Sequence, residues 1–294
     1  GLGDMLDHLD CQDVVSFTGS AETALKLRSN PVLVERSVRF TSEQDSLNAS
    51  VLGSDAGPGT PEFDLFVKEV KHEMTAKAGQ KCTAVRRIMV PQVHVNAIIA
   101  ALSAQLSKTI IGDPRLEETQ MGALVSQSQR DDVLTKAALI GSEAERVFGD
   151  PDNFTVVGAD HTKGAFVPPM LFNCANPDTA LNVHDVEAFG PVSTIMGYRD
   201  ADHVIALLNK GKGSLVASVI THDGDFARQI AIGSGAFHGR LYFNNRNSMA
   251  EATGHGAPLP HMIHGGPGRA GGGEELGGVR GVMHYMQRTA IQGS

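Results

Sequence analysis

Gly79-Gln80-Lys81-Cys82-Thr83-Ala84 sets one thiol in a short run of small residues, with Lys81 before it and Arg86 and Arg87 close behind. A reactive cysteine needs access and nearby positive charge, because the thiolate is the nucleophile. The plainer alternative is a free cysteine packed as a small hydrophobe. Upstream, Val14-Val15-Ser16-Phe17 is a β-type run broken by Thr18-Gly19-Ser20, and Ala21–Arg28 then reads as a helix. That order presents backbone N–H groups at a helix start, which suits a phosphate or a ribose. It is not G-x-G-x-x-G, and an ordinary strand-to-helix turn has the same form. Two acids stand near similar breaks: Glu43, 39 positions before Cys82, and Glu187, at the head of Glu187-Ala188-Phe189-Gly190-Pro191-Val192. Taken singly, Glu43 reads as a solvated loop acid, and Phe189 as core in a loop entering a strand.

Together these four stretches resemble the motifs of the aldehyde dehydrogenase superfamily, and they fall in its order over about 175 residues. The resemblance implies that Cys82 attacks an aldehyde carbonyl to give a thiohemiacetal, that hydride passes to a nicotinamide, and that water hydrolyses the thioester. It makes Glu43 the general base for that water, with the raised pKa such a role wants. The family's Glu-Leu-Gly-Gly is here Glu43-Gln44-Asp45-Ser46, so Asp45 stays open as a rival. It makes Thr18, Gly19 and Ser20 a turn against the cofactor, Glu187 the carboxylate that holds the ribose hydroxyls, and Phe189 a ring beside the nicotinamide. Asn244 sits where the family has an Asn, ending a strand. No metal is assigned.

The elements that must position these groups alternate. Val38–Phe40 and Ala49–Leu52 read as strands on either side of Glu43. Thr60-Pro61-Glu62 starts a helix with a hydroxyl cap, proline and acid. Phe63, Phe66, Val67, Val70 and Met74 recur on its core face, and Gly79 stops it. Arg87–Val90 is a strand, Val95–Leu106 a helix, and Ser126 caps a third helix to about Ile140. Val192–Met196, Leu215–Ile220 and Arg240–Asn244 are strands, separated by helices over Ala201–Leu208 and Phe226–Ile232. Apolar strands alternating with amphipathic helices imply an α/β fold with a parallel sheet. The glycine-rich His264–Gly278 run carries Arg269, Glu274 and Glu275, so a structured loop is expected there rather than a linker.

With the family in view, residues 1–44 are expected to end a Rossmann-like cofactor-binding domain and 45–252 to form the parallel-sheet catalytic domain. Residues 253–283 would be a Gly-rich return to the cofactor domain, and 284–294 an oligomerisation strand. A net charge of −8 without a Lys/Arg block speaks against nucleic acid. No apolar stretch is long enough to span a bilayer, and no secretory leader is visible. Three scattered cysteines suit a reducing, cytoplasmic compartment. The chain starts without Met and reads as part of a larger protein.

Ser46-Leu47-Asn48, Gly254-His255-Gly256, the His264–Gly278 run and His284-Tyr285-Met286-Gln287-Arg288-Thr289-Ala290 resemble a narrower group, the dehydrogenase halves of bifunctional ring-opening enzymes of bacterial phenylacetate degradation. That resemblance implies a CoA-linked aldehyde, 3-oxo-5,6-dehydrosuberyl-CoA semialdehyde, with NADP as cofactor and NAD possible. It also implies a homo-oligomer, a hydratase domain on the parent chain, and an upstream part bearing an oxyanion-hole Asn and a cofactor-binding lysine. Two other readings remain: a CoA-acylating dehydrogenase, against which Glu43 argues, and a non-catalytic homologue, against which Cys82 and Glu43 together argue.

Overall fold

The computed structural model describes residues 2–293, so Gly1 and Ser294, the outermost residues of the first and last expected segments, lie outside it. Two strands, β1 (Val14–Thr18) and β2 (Arg39–Glu43), pair in parallel around a helical crossover. Their register sets Thr18 level with Glu43. Leu6, Leu27, Leu33 and Val38 form a small core of their own under this pair.

The main sheet holds β3 (Ala49–Leu52), β4 (Arg87–Pro91), β5 (Glu145–Phe148), β6 (Met170–Cys174), β7 (Val192–Tyr198), β8 (Ser214–Ile220) and β9 (His238–Asn244). Their order is β5-β6-β7-β4-β3-β8-β9, parallel throughout except for the edge strand β5. The central strands are buried on both faces, which is why they read as continuous apolar runs. Alternation splits their side chains into two layers. Val51, Met89 and Val219 face one core, which the helices Gln127–Gly141, Ala201–Asn209 and Gly224–Ser234 cover. Leu52, Ile88 and Ile220 face the other, under Pro61–Thr75 and Val95–Leu106. Thr60 and Ser126 cap their helices as expected, each hydroxyl accepting from a backbone N–H three residues on.

Three details differ from the sequence reading. β2 runs to Glu43, so that acid ends a strand and does not lie between two. The helix before Cys82 ends at Thr75 and a 3-10 turn, Ala76–Gly79, follows it. There Lys77, Ala78 and Gly79 all take positive φ, which reverses the chain before the cysteine. At the end of the chain a helix spans Val279–His284, and residues 285–293 form neither helix nor strand. Among the described residues of this single chain the expected closing strand is therefore not formed. The Arg39 guanidinium donates to the carbonyls of His284, Tyr285 and Met286, fixing the segment against β2 through side-chain contacts instead.

The glycine-rich run is ordered. It closes a hairpin between β10 (Ile263–His264) and β11 (Glu275–Leu276). A Cβ at Gly271 or Gly273 would lie 2.3 or 2.6 Å from the Ser42 carbonyl oxygen, so glycine is what lets this loop run against β2. The Gly273 N–H donates to that same oxygen, and the Gln44 N–H donates to the Ala270 carbonyl. Among the described residues no helix is long and apolar enough to cross a membrane.

Candidate active site

β2 leads through Gln44–Asn48 into β3, and the Cys82 turn leads into β4. Because β3 and β4 are parallel neighbours, both approaches arrive at the same end of the sheet. Asn48 fastens them. Its Nδ2 donates to the carbonyls of Cys82 (2.7 Å) and Ala84 (3.1 Å), and its own carbonyl accepts from the N–H groups of Arg86 and Arg87. Ser46 Oγ donates to Asn48 Oδ1 and accepts from the Leu215 N–H, which ties in β8. The Gly254–Gly256 stretch packs on the same turn: the His255 ring bonds the Thr83 carbonyl, and a Cβ at Gly256 would strike Lys81.

At this point Glu43 and Cys82 meet a third residue, His264. Its Nε2 lies 3.1 Å from Glu43 Oε2 and 3.7 Å from Cys82 Sγ. The three functional atoms all fall within 4.8 Å of one another. The histidine arrives from β10, and the glycine-rich loop that follows it is bonded to β2. Cys82 is half-buried and Glu43 almost fully so.

The electrostatics correct two expectations. The Cys82 thiol is pushed up to about 12, first by burial and then by the Glu43 carboxylate beside it. The three cations expected to favour the thiolate point elsewhere. Lys81 Nζ is paired with Glu73 at 2.7 Å. Arg86 spends its guanidinium on the carbonyls of Gly190 (2.6 Å) and Gly79 (2.9 Å) and on Glu187 (3.4 Å). Arg87 donates to the carbonyls of Leu47, Leu207 and Leu208. The second correction concerns Glu43. Burial alone would raise its pKa, but His264 outweighs burial and holds the carboxyl below its ordinary value. Glu43 in turn holds His264 above its own.

A cavity of about 300 Å³ opens from this cluster towards the β1 turn, and Thr18, Gly19, Ser20, Glu43, Cys82, Glu187 and Phe189 all line it. The structure thus brings together the cysteine, both glutamates, Phe189 and the Thr18–Ser20 turn; Asn244, whose Nδ2 donates to Glu69 and Tyr242, is not among the residues lining the cavity. Asp45 lines it too, but its Oδ1 accepts from the Ala21 N–H at 3.1 Å, at the start of the Ala21–Arg28 helix. That helix start is therefore not vacant for phosphate as the sequence suggested. A carboxylate there repels phosphate and leaves sugar hydroxyls as the better partner. Glu187 is buried, and burial raises its pKa against the opposing Arg86. Its Oε2 accepts from the Ser46 N–H at 3.1 Å. The Arg86 guanidinium also lies 5.4 Å over the Phe189 ring. Sequence reasoning missed His264, and it missed Gln129, Asp132 and Lys136, which line the cavity from the Gln127–Gly141 helix. The last three are spaced i, i+3, i+7 behind a recognised cap, so helical periodicity carried a signal for them. His264 had none beyond its place in the glycine-rich run.

The aldehyde dehydrogenase family model matches residues 3–291. The chain belongs to the aldehyde dehydrogenase family. It is 46% identical over 267 residues to the 3,4-dehydroadipyl-CoA semialdehyde dehydrogenase of Aromatoleum evansii, covering 91% of this chain and 52% of that protein. It is 50% identical over 175 residues to Protein MaoC of Klebsiella aerogenes, covering 59% of this chain and 50% of that one. The chain thus spans about half the length of these relatives. Among solved structures, aldehyde dehydrogenase C of Pseudomonas syringae, complexed with NAD+ and octanal, superposes with a TM-score of 0.78 at 25% identity, over 97% of this chain and 53% of that one. A betaine aldehyde dehydrogenase of Staphylococcus aureus in complex with NAD+ gives 0.78 and 25%, over 93% and 50%. Family and fold agree with the α/β architecture, with its mostly parallel central sheet.

Proposed function

We propose that this chain carries the catalytic machinery of an NAD(P)-dependent dehydrogenase that oxidises a CoA-linked semialdehyde to the carboxylic acid. The observation that carries the reading is the shared cavity: Cys82 and Glu43 touch at one end and Thr18, Gly19, Ser20, Glu187 and Phe189 line the rest. Cys82 Sγ is the nucleophile that bonds the aldehyde carbon. Glu43 is the base that takes a proton from the water cleaving the resulting thioester. Its contact with the sulfur favours it over Asp45, whose carboxylate is engaged at a helix start. The nicotinamide cofactor supplies a hydride acceptor when bound. Glu187 and the exposed Thr18–Ser20 turn offer polar atoms for its ribose, and Phe189 offers an apolar face. NADP is the proposed form, with NAD as the alternative.

The semialdehyde named in the Aromatoleum evansii relative supports a CoA-linked substrate of aromatic degradation. The specific candidate is 3-oxo-5,6-dehydrosuberyl-CoA semialdehyde. On this reading residues 1–44 end the cofactor-binding domain, 45–252 form the catalytic domain, and 253–283 return to the cofactor side. The exposed apolar Tyr285, Met286 and Ile291 make 284–294 the segment through which a homo-oligomer would assemble. A hydratase domain on the parent chain and a cytoplasmic location belong to the same proposal.

The test assays the full-length gene product with both CoA-linked semialdehydes and both cofactors, following reduced cofactor and free acid. Cys82→Ala should lower turnover at least about a thousandfold while the protein stays folded. Activity within about tenfold of wild type, or release of acyl-CoA at the aldehyde carbon, would overturn the assignment.

A further inference from the structure

We propose that His264 is a catalytic residue, the cation that stabilises the Cys82 thiolate. The inference rests on Cys82 being the nucleophile and adds a residue to that site. Its basis is a shortage of charge. Lys81, Arg86 and Arg87 surround the thiol in sequence, yet each is spent elsewhere: on Glu73, on Glu187 and backbone carbonyls, or on carbonyls and the His184 ring. Glu43, the charged group that does touch the sulfur, opposes its ionisation. Beyond the more distant Arg86 charge, the thiolate would have only the backbone N–H groups of Cys82 and Thr83, too little for a half-buried charge out of water.

His264 meets the need by position. Its Nε2 is at hydrogen-bonding distance from Sγ, 3.7 Å. It is also at ion-pair distance from Glu43 Oε2, 3.1 Å, but that oxygen makes no well-aligned hydrogen bond. The ring therefore sits between two acids and can serve either. In the resting trio the thiol is protonated, and the Glu43 carboxylate beside His264 favours the imidazolium form of that ring. On activation the S–H bond breaks, its electron pair stays on sulfur, and the proton passes to a Glu43 oxygen. The trio's net charge is unchanged. The imidazolium N–H, released from a carboxylate that is now neutral, faces the thiolate. The other charged groups acting on His264 are Glu275, which favours the imidazolium, and Arg240, which opposes it; Arg86 acts on Cys82 from the β4 side.

The test measures iodoacetamide alkylation of Cys82 against pH in the full-length gene product. Peptide mass mapping separates Cys82 from exposed Cys11 and buried Cys174. In His264→Gln the inflection should move up by at least about one pH unit, with the rate near neutrality falling about tenfold. In Glu43→Gln it should move down, because a negative charge beside the sulfur has gone. General damage to the site would move both variants the same way. Imidazole added to His264→Ala should restore part of the lost rate. If the glutamine variant does not fold, His264→Asn reads the same shift. A His264→Gln profile within about twofold of wild type, or shifts of one sign in both variants, overturns the proposal. Alkylated Cys82 with undiminished aldehyde oxidation would instead sink the nucleophile reading, and the pH shifts would still stand.

Discussion

Replacing Arg86 with methionine is expected to be among the most damaging single changes in this chain. The side chain is 4% exposed and joins three segments: the Gly79 turn, the Glu187–Pro191 loop and, through its own backbone, β4. Counting each lost charge-assisted hydrogen bond at about 2 kcal/mol would give about 6 kcal/mol for three partners. That overshoots, because the freed Gly79 and Gly190 carbonyls can take up water once the guanidinium leaves. What cannot relax is Glu187, 8% exposed and left with only the Ser46 N–H. Stranding one member of a buried ion pair costs about 3–5 kcal/mol, so about 4 kcal/mol is expected. At the lower end of the scale for larger chains that is roughly 8 °C in melting temperature. The loss should depend on pH. Burial already raises the Glu187 pKa, and removing Arg86 deletes the strongest of the groups opposing it. A carboxyl whose folded pKa is raised favours the fold while protonated and loses that contribution as pH rises through the folded value. The variant should thus be hurt more near pH 8 than near pH 5, and Glu187→Gln placed on top of it should recover at least about 1.5 kcal/mol near pH 8. Urea titrations of wild type, single and double variants at both pH values measure this. A single-variant loss under about 1 kcal/mol, or a double variant no more stable than the single near pH 8, would refute the argument.

Gly79→Ala should destabilise by about 3 kcal/mol and lower turnover, because its φ is +68° and the new Cβ would lie 2.3 Å from the Gly190 carbonyl oxygen, backbone that cannot swing aside. Lys77→Gly, at an exposed residue with φ +52°, should instead stabilise by about 1 kcal/mol in the same urea assay. Glu62 is held at about 2 by Arg246, so its ion pair contributes above the ordinary carboxylate pKa and is lost as pH falls towards 2; acid titration of Glu62→Gln should show a profile flatter by about 2 kcal/mol over that window. Glu43→Gln removes the acceptor for the thiol proton but also the charge opposing the thiolate, so with that proton lost to solvent a burst of reduced cofactor should persist in rapid mixing while the steady state slows; an unchanged steady state would return the role to Asp45.

Much of this protein is legible along the chain because it is local. Thr60, Ser126 and the Ala21–Arg28 helix declare themselves through caps and periodicity, which depend on residues three or four apart. The continuous apolar runs of the central strands announce a sheet covered on both faces. Cys82, Glu43, Glu187, Phe189 and the Thr18–Ser20 turn stand out by residue type and order, and one cavity gathers them all. What the chain could not disclose is direction. Lys81, Arg86 and Arg87 look like thiolate partners at short sequence distance, yet a strand turns alternate side chains apart and an adjacent loop claims the rest. The sign of the Glu43 pKa shift is hidden from local sequence for the same reason. It is decided by His264, 182 positions past Cys82, brought in by a hairpin whose glycines let it lie against β2. Such contacts depend on which strands become neighbours, and no local pattern encodes that. Local sequence supplied the reacting groups, and tertiary packing decided which charge faces the sulfur.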